Sequence, residues 1–258
     1  MDLSREPGTG LVIIPTYNEA ENIEPLVAEI LEQPAPLDIV VVDDNSPDGT
    51  GELADALAAQ NKRVTVIHRP AKLGLGTAYI SGFRQAIEKG YEYAITMDAD
   101  YSHHPSYLPA LLHMMKHCDL AIGSRYVPGG RTTGWPFTRK VLSRGANTFA
   151  RLILGLKAHD CTAGFRCYKT SVLQTIALDS IFSSGYSFLV EMVTRCERRG
   201  FIVGEVPITF ENRRLGSSKI SKREIWKSVY TIFRLRFSWL PWARWLAAYR
   251  QGRRAGPR

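Results

Sequence analysis

Tyr93-Ala94-Ile95-Thr96-Met97-Asp98-Ala99-Asp100 is a run of apolar and small residues closed by two carboxylates. It reads as a buried strand delivering a pair of acids to the rim of a sheet, because side chains i and i+2 share one side of an extended chain. Two carboxylates that close repel one another unless a cation or a proton lies between them. A hard divalent ion carrying a diphosphate resolves that repulsion, so the run points to an enzyme that handles a nucleoside diphosphate.

Working outward, apolar and β-branched runs recur at 11–14, 38–42, 64–68 and 120–123, with helical periodicity at 20–31, 51–59, 77–89 and 106–117 between them. Strand–helix alternation of this kind predicts an α/β fold with a mostly parallel sheet flanked by helices. Ligands on such sheets bind beyond the carboxyl ends of the strands, so the polar residues after each strand carry the chemistry. Further on, the pattern predicts helices at 139–154 and 184–199, a strand at 201–210 and a last helix at 222–236. In that last helix Trp226, Val229, Tyr230, Phe233 and Phe237 share a face, with Trp226 to Phe233 expected to pack on the body.

The chain has 258 residues and a net charge of +8, unevenly spread. Residues 211–258 hold 13 Lys or Arg against two Glu, while residues 1–210 hold 20 against 23 Asp or Glu. A near-neutral body with a basic end fits an anionic partner surface, nucleic acid or membrane on charge alone. No apolar run is long enough to span a bilayer, and residues 1–10 lack the apolar core of a signal peptide. The four cysteines (Cys118, Cys161, Cys167, Cys196) show no metal spacing and read as free thiols.

Pro15-Thr16-Tyr17-Asn18-Glu19 follows the first strand; Tyr17 offers a face for a base and Glu19 an acceptor, while Asn18 could instead cap the next helix. Asp43-Asp44 follows the second strand, with Asp44 the choice for a nucleoside ligand and Ser46 and Asp48 suited to turn and cap. Lys72-Leu73-Gly74-Leu75-Gly76-Thr77 is glycine-rich, but it lacks a third glycine and reads as a tight turn rather than a dinucleotide fingerprint. His103 and His104 are as suited to structure as to metal. Arg125, Arg139, Lys140, Ser143 and Arg144 follow the fifth strand, in a spacing suited to an anion near a helix N-terminus. Arg213 and Lys219 lie in a basic loop that could cover a phosphate.

Taken together, L-V-I-I-P-T-Y-N-E (11–19), V-V-D-D-N-S-P-D-G-T (41–50), K-L-G-L-G-T-A-Y (72–79), M-D-A-D-Y-S-H-H-P (97–105), G-S-R-Y (123–126), R-K-V-L-S-R-G-A-N (139–147) and G-E-V-P-I-T-F (204–210) resemble the family 2 glycosyltransferases of the GT-A fold. Within them the likeness is to the polyprenol (dolichol) monophosphate mannose synthases, over residues 11–220. The resemblance implies inverting transfer of mannose from GDP-mannose to a polyprenyl phosphate. It implies that Pro15, Tyr17, Glu19, Val42 and Asp44 hold the guanosine. Asp98, Ala99 and Asp100 would hold diphosphate and sugar through Mg²⁺ or Mn²⁺, with Asp98 and Asp100 as metal ligands and, with Arg125, the catalytic set. Arg125, Arg213 and Lys219 would bind donor phosphates, and Arg139 and Ser143 the lipid phosphate. Some members carry Gln where this chain has Ser102, leaving water to complete the metal shell.

The chemistry agrees independently, because a phosphate monoester is already an anionic nucleophile and needs no general base. The protein has to bring two anions together and stabilise the departing diphosphate. The expected organisation is a catalytic domain at 1–221 and a basic amphipathic segment at 222–258. From Phe237 that segment would lie on the cytoplasmic face of a membrane, alone or with an anchoring protein, and the partner would be lipid rather than nucleic acid. Three rivals remain at this point. They are the same transfer from another donor such as UDP-glucose, a sugar nucleotidyltransferase (which needs a basic glycine-rich loop after the first strand), and a nucleic-acid-binding module.

Overall fold

The computed structural model describes residues 10–211 and 222–237. The first half alternates strand and helix: β1 (Gly10–Thr16), α1 (Ala20–Leu31), β2 (Leu37–Asp43), α2 (Thr50–Gln60), β3 (Val64–His68), α3 (Leu75–Glu88), β4 (Tyr93–Thr96), α4 (Leu108–Met114) and β5 (Leu120–Ser124). There follow β6 (Arg131–Thr132), α5 (Phe137–Leu154), β7 (Arg166–Lys169), α6 (Thr170–Thr175), α7 (Tyr186–Arg198), β8 (Val203–Pro207), β9 (Thr209–Phe210) and α8 (Lys222–Phe237).

Seven strands form one sheet in the order β3-β2-β1-β4-β7-β5-β8, parallel throughout except for β7, which runs antiparallel between β4 and β5. The unbroken apolar run of β1 follows from burial on both sides, which an inner parallel strand requires. Leu11 and Ile13 face Tyr79, Phe83, Phe188 and Val193 on one side, with α3, α6, α7 and α8 supplying that layer. Val12 and Ile14 face Ile23, Leu26, Ile30 and Leu108 on the other. Helix α3 lies so close to β1 that a Cβ on Gly82 would come within 2.4 Å of Ile13 Cγ2. A side chain there would overpack the core, at about 1–3 kcal/mol.

Three features depart from the sequence expectations. Strand β4 ends at Thr96 and the acid pair follows at its carboxyl end as expected, but Asp98 and Asp100 stand in a turn rather than on the extended backbone assumed for their pairing. Strand β7 was not legible, because its first residue is charged. Arg166 is fully buried in the sheet, and its guanidinium is satisfied by the carbonyls of Ala163, Leu189 and Cys161 at 2.7–2.8 Å. Only part of the α8 stripe packs on the body: Trp226 is 74% and Tyr230 62% exposed, whereas Val229 is half-buried and Phe233 meets Phe149 of α5. Ile232 and Leu235 form the buried side, and they join the core shared with α7.

Candidate active site

The loops after β1 and β2 hold each other in place. Asn18 and Asn45 both take left-handed backbone, which asparagine tolerates better than most residues. The expected cap of α1 by Asn18 is not made; Asp48 Oδ2 accepts from the Ala20 N–H, and Thr50 Oγ1 from the Glu19 N–H. Asp43 is taken up internally, accepting from the Thr16 hydroxyl at 2.9 Å and the Ser46 N–H at 3.0 Å. Asp44 instead faces a cavity of about 980 Å³ together with Pro15, Tyr17 and Glu19. Burial raises the Asp44 carboxyl above its usual range, opposed by Arg69, whose Nη1 lies 3.1 Å away. Val42 is buried in the core and does not line the cavity, so only its main chain is left for a ligand.

Lys72 was passed over in the sequence and stands at this end of the cavity, its Nζ 3.8 Å from the centre of the Tyr17 ring. The glycine-rich turn reading holds locally, since Gly74 has φ +99 and opens α3. The same turn also forms part of the cavity wall through Lys72, Gly74 and Leu75. Only the strand order brings that turn beside Tyr17.

Asp98, Ala99 and Asp100 line the middle of the cavity. The Tyr79 hydroxyl donates to Asp98 Oδ1 at 3.0 Å, which fixes one carboxylate; Asp100 is nearly buried, and its Oδ1 accepts from the Ser102 N–H at 3.1 Å. Tyr101 between them has φ +59, a conformation costing a non-glycine residue about 1–3 kcal/mol. The tyrosine hydroxyl anchors that turn to Glu29 Oε1 at 3.2 Å.

Next to the acids, the Ser102 hydroxyl and both ring nitrogens of His103 are buried with no hydrogen-bond partner. Burial pushes the His103 imidazole below its ordinary pKa, against the pull of Asp98 and Asp100, so the ring is held neutral. Two carboxylates with unpaired oxygen and nitrogen lone pairs beside them suit a hard cation. No cluster of three or more His, Cys, Asp or Glu ligands occurs among the described residues.

Beyond the acids lies an arginine and aromatic group. Arg125 is buried and gripped by Asp160, with Nε to Oδ2 and Nη2 to Oδ1 both at 2.7 Å. Burial alone would raise the Asp160 carboxyl, but the Arg125 guanidinium more than offsets this and holds it below its usual value. Asp160 is in turn positioned by Glu205, which accepts from its N–H at 2.9 Å. Gly130 packs on the Arg125 main chain so tightly that a Cβ would sit 2.5 Å from Ser124 O. Arg139 stacks on Trp135 with Cζ 4.0 Å from the ring centre, and Ser143 Oγ accepts from the Tyr126 hydroxyl at 2.6 Å. Arg139 and Ser143 both line the cavity; Lys140 and Arg144 do not.

Past Ser143 the lining turns apolar, with Leu142, Ala146, Phe149, Leu189, Val229 and Ile232 contributed by α5, α7 and α8. Of the residues proposed from sequence, Pro15, Tyr17, Glu19, Asp44, Asp98, Ala99, Asp100, Arg125, Arg139 and Ser143 thus share one cavity. Arg213 and Lys219 lie outside the described residues. Trp135, Asp160 and Phe210 were missed. Their placement depends on the short parallel pairing of β6 with β9 and on the 159–165 loop, neither of which has a sequence periodicity.

The model of glycosyl transferase family 2 matches residues 11–177. The chain is 46% identical over 235 residues to an undecaprenyl-phosphate mannosyltransferase of Micrococcus luteus, covering 91% of this chain and 95% of that protein. It is 49% identical over 224 residues to a polyprenol monophosphomannose synthase of Mycolicibacterium smegmatis, covering 86% of this chain and 84% of that one. Among solved structures, the glucosyl-3-phosphoglycerate synthase of Mycobacterium tuberculosis, crystallised with Mn²⁺, UDP and glucosyl-3-phosphoglycerate, superposes with a TM-score of 0.64 at 18% identity, over 88% of this chain and 80% of that one. At that identity the likeness is one of fold, the GT-A arrangement.

Proposed function

The chain belongs to glycosyl transferase family 2, and from that premise we propose that it transfers mannose from GDP-mannose to a polyprenyl phosphate, with inversion at the sugar carbon. The two curated relatives are named for polyprenyl-type mannosyl transfer. The observation that carries the acceptor is the lining: one cavity holds the acid pair, Arg139 and Ser143 together with apolar side chains of α5, α7 and α8. A phosphate on an apolar chain is the ligand whose two ends match those two kinds of lining.

In the reaction an oxygen of the acceptor phosphate attacks the anomeric carbon of mannose. The bond from that carbon to the donor diphosphate breaks, and its electron pair leaves with GDP. Pro15, Tyr17, Glu19 and Asp44 hold the nucleoside end. Arg125, fixed by Asp160, sets a permanent positive charge against the phosphates, and Arg139 with Ser143 orients the nucleophile. Arg213 and Lys219 would bind the donor phosphates. Asp98 and Asp100 would hold Mg²⁺ or Mn²⁺, a use supported by crystals of structural relatives containing these ions. That ion would supply charge neutralisation at the leaving diphosphate. No proton has to be abstracted, so no general base is needed.

The acceptor lies in a bilayer, and no described helix is long and apolar enough to cross one. A docking face is supported by α5 and α8, which meet through Phe149 and Phe233. Phe137 is 79% and Leu152 78% exposed on α5, beside the open aromatic stripe of α8. Of the predicted membrane contact from Phe237 onward, Phe237 closes α8 and is 46% exposed, and residues 238–258 lie outside those described. Burying a Phe or Leu gains about 1.5–3 kcal/mol. The Phe137→Glu, Leu152→Glu double variant should therefore lose at least about tenfold in affinity for anionic vesicles, read by cosedimentation. Undiminished sedimentation would rule this face out.

The test of the proposed function is transfer of radiolabelled mannose from GDP-mannose to a short polyprenyl phosphate with Mg²⁺ or Mn²⁺, in competition with GDP and with UDP. Label in the lipid, suppressed by GDP and not by UDP, is the expected result. Suppression by UDP alone would replace the donor with a uridine diphosphate sugar. Absence of transfer with intact metal-dependent GDP binding would show the acceptor to be wrong.

A further inference from the structure

Trp135 is only 8% exposed and lines the cavity, yet its indole Nε1 is buried and has no hydrogen-bond partner. Buried donors in folded proteins are nearly always paired, and one left unpaired lowers stability. The position is over-determined by its surroundings. Gly134 has φ +70, and the following Pro136 restricts Trp135 to extended backbone while serving as the N-cap of α5. Phe210 packs edge-on at 5.3 Å, Arg139 stacks at 4.0 Å and the Arg125 guanidinium carbon lies 5.6 Å from the ring centre. A fold that fixes an indole this firmly while leaving its N–H unpaired holds that donor for something the protein itself does not provide.

The neighbouring groups define what that is. An indole N–H and a guanidinium can only donate. Helix α5 also opens without a side-chain cap, so its first N–H groups add to the donor surplus and to the positive end of the helix dipole. A sugar hydroxyl has a proton of its own to place, and this group offers it no acceptor. A phosphate offers only acceptors and carries the opposite charge. Trp135 lies just before the helix that contributes Arg139, Leu142, Ser143 and Phe149 to the cavity.

We infer that Trp135 is a ligand of the acceptor lipid's phosphate, its indole N–H donating to an oxygen held beside Arg125 and Arg139. The assignment to the acceptor rather than to the donor diphosphate rests on the function proposed above. Trp135 thereby selects a phosphate-bearing prenyl chain over the corresponding alcohol.

Trp135→Phe tests this, since it keeps an aromatic ring for Arg139 and Phe210 to pack on while removing the N–H together with the five-membered ring that bears it. The probes are farnesyl phosphate, farnesol, and GDP with Mn²⁺, each titrated by calorimetry against the full-length wild type and variant. Farnesyl phosphate should bind about 10- to 100-fold more weakly to the variant, the loss of a hydrogen bond to a charged group. GDP should change less than about twofold on the same reasoning, and farnesol, which lacks the phosphate, should be unaffected. A purely structural tryptophan would leave the farnesyl phosphate affinity unchanged, which overturns the proposal. Weakened GDP with unchanged farnesyl phosphate also overturns it, moving the N–H to the donor. If the wild type binds no farnesyl phosphate while still binding GDP, the acceptor reading itself falls, and the proposal with it.

Discussion

Asp100→Ala is expected to reduce mannosyl transfer on the order of a thousandfold, the scale of charge stabilisation supplied through a metal-bound leaving group. The same change should remove the dependence of GDP affinity on Mg²⁺ or Mn²⁺, read by calorimetry with and without the ion. Asp100 also has a local duty, since its Oδ1 accepts from the Ser102 N–H in the turn that holds Tyr101 left-handed. Asp100→Asn separates the two roles. It keeps an oxygen for that N–H and the shape of the turn but gives up the charge a hard cation requires. Both variants should therefore lose metal-dependent binding, with Asn retaining the wild-type melting temperature more closely than Ala. Unaltered metal dependence in Asp100→Asn would remove this residue from the metal site.

Asp160→Asn should be the most destabilising single change in the site. Asp160 is fully buried and forks onto Arg125, which is itself nearly inaccessible. Removing one partner of such a pair leaves a buried charge without its counter-charge, a loss of about 3–5 kcal/mol. Urea unfolding at neutral pH measures it, and a loss below about 1 kcal/mol would mean that other groups satisfy Arg125. The pH dependence has a definite sign. The folded carboxyl titrates below the unfolded one, so its contribution is fully present above the unfolded value of about 3.9. It is lost as the pH falls through the folded value. The gap between wild type and Asp160→Asn should therefore be constant from neutral pH down to about pH 4 and close below it. Transfer should fall as well, because Arg125 loses the partner that orients it.

How far the site could be read in advance differs from residue to residue. Asp98, Asp100, Asp44 and Arg125 follow strands whose apolar runs are visible in the sequence, and strand ends on a parallel sheet face the ligand. Asp160 follows no such run, and nothing in His159-Asp160-Cys161-Thr162 marks it as the partner of a residue 35 positions earlier. Trp135 reads as a loop residue before a proline. Its importance lies in what its N–H lacks, a property that exists only after folding. The α8 stripe was read with the right period, but within it Trp226 and Tyr230 turn to solvent while Phe233 meets α5. Spacing fixes which residues share a helical face, but not which face meets the protein.

The sequence by itself determined the α/β class, the positions of the ligand-bearing loops and the acid pair with its demand for a cation, because these depend on local periodicity and on the repulsion of neighbouring charges. The tertiary structure alone decided three things. It inserted β7, led by a buried arginine, between β4 and β5. It brought apolar side chains of α5, α7 and α8 into one cavity with Arg139 and Ser143. It turned Trp226 and Tyr230 of α8 outward, with Ile232 and Leu235 filling the inner face. Each is a choice among long-range packings that satisfy the local pattern equally well, and burial and hydrogen-bond satisfaction over the whole chain select between them.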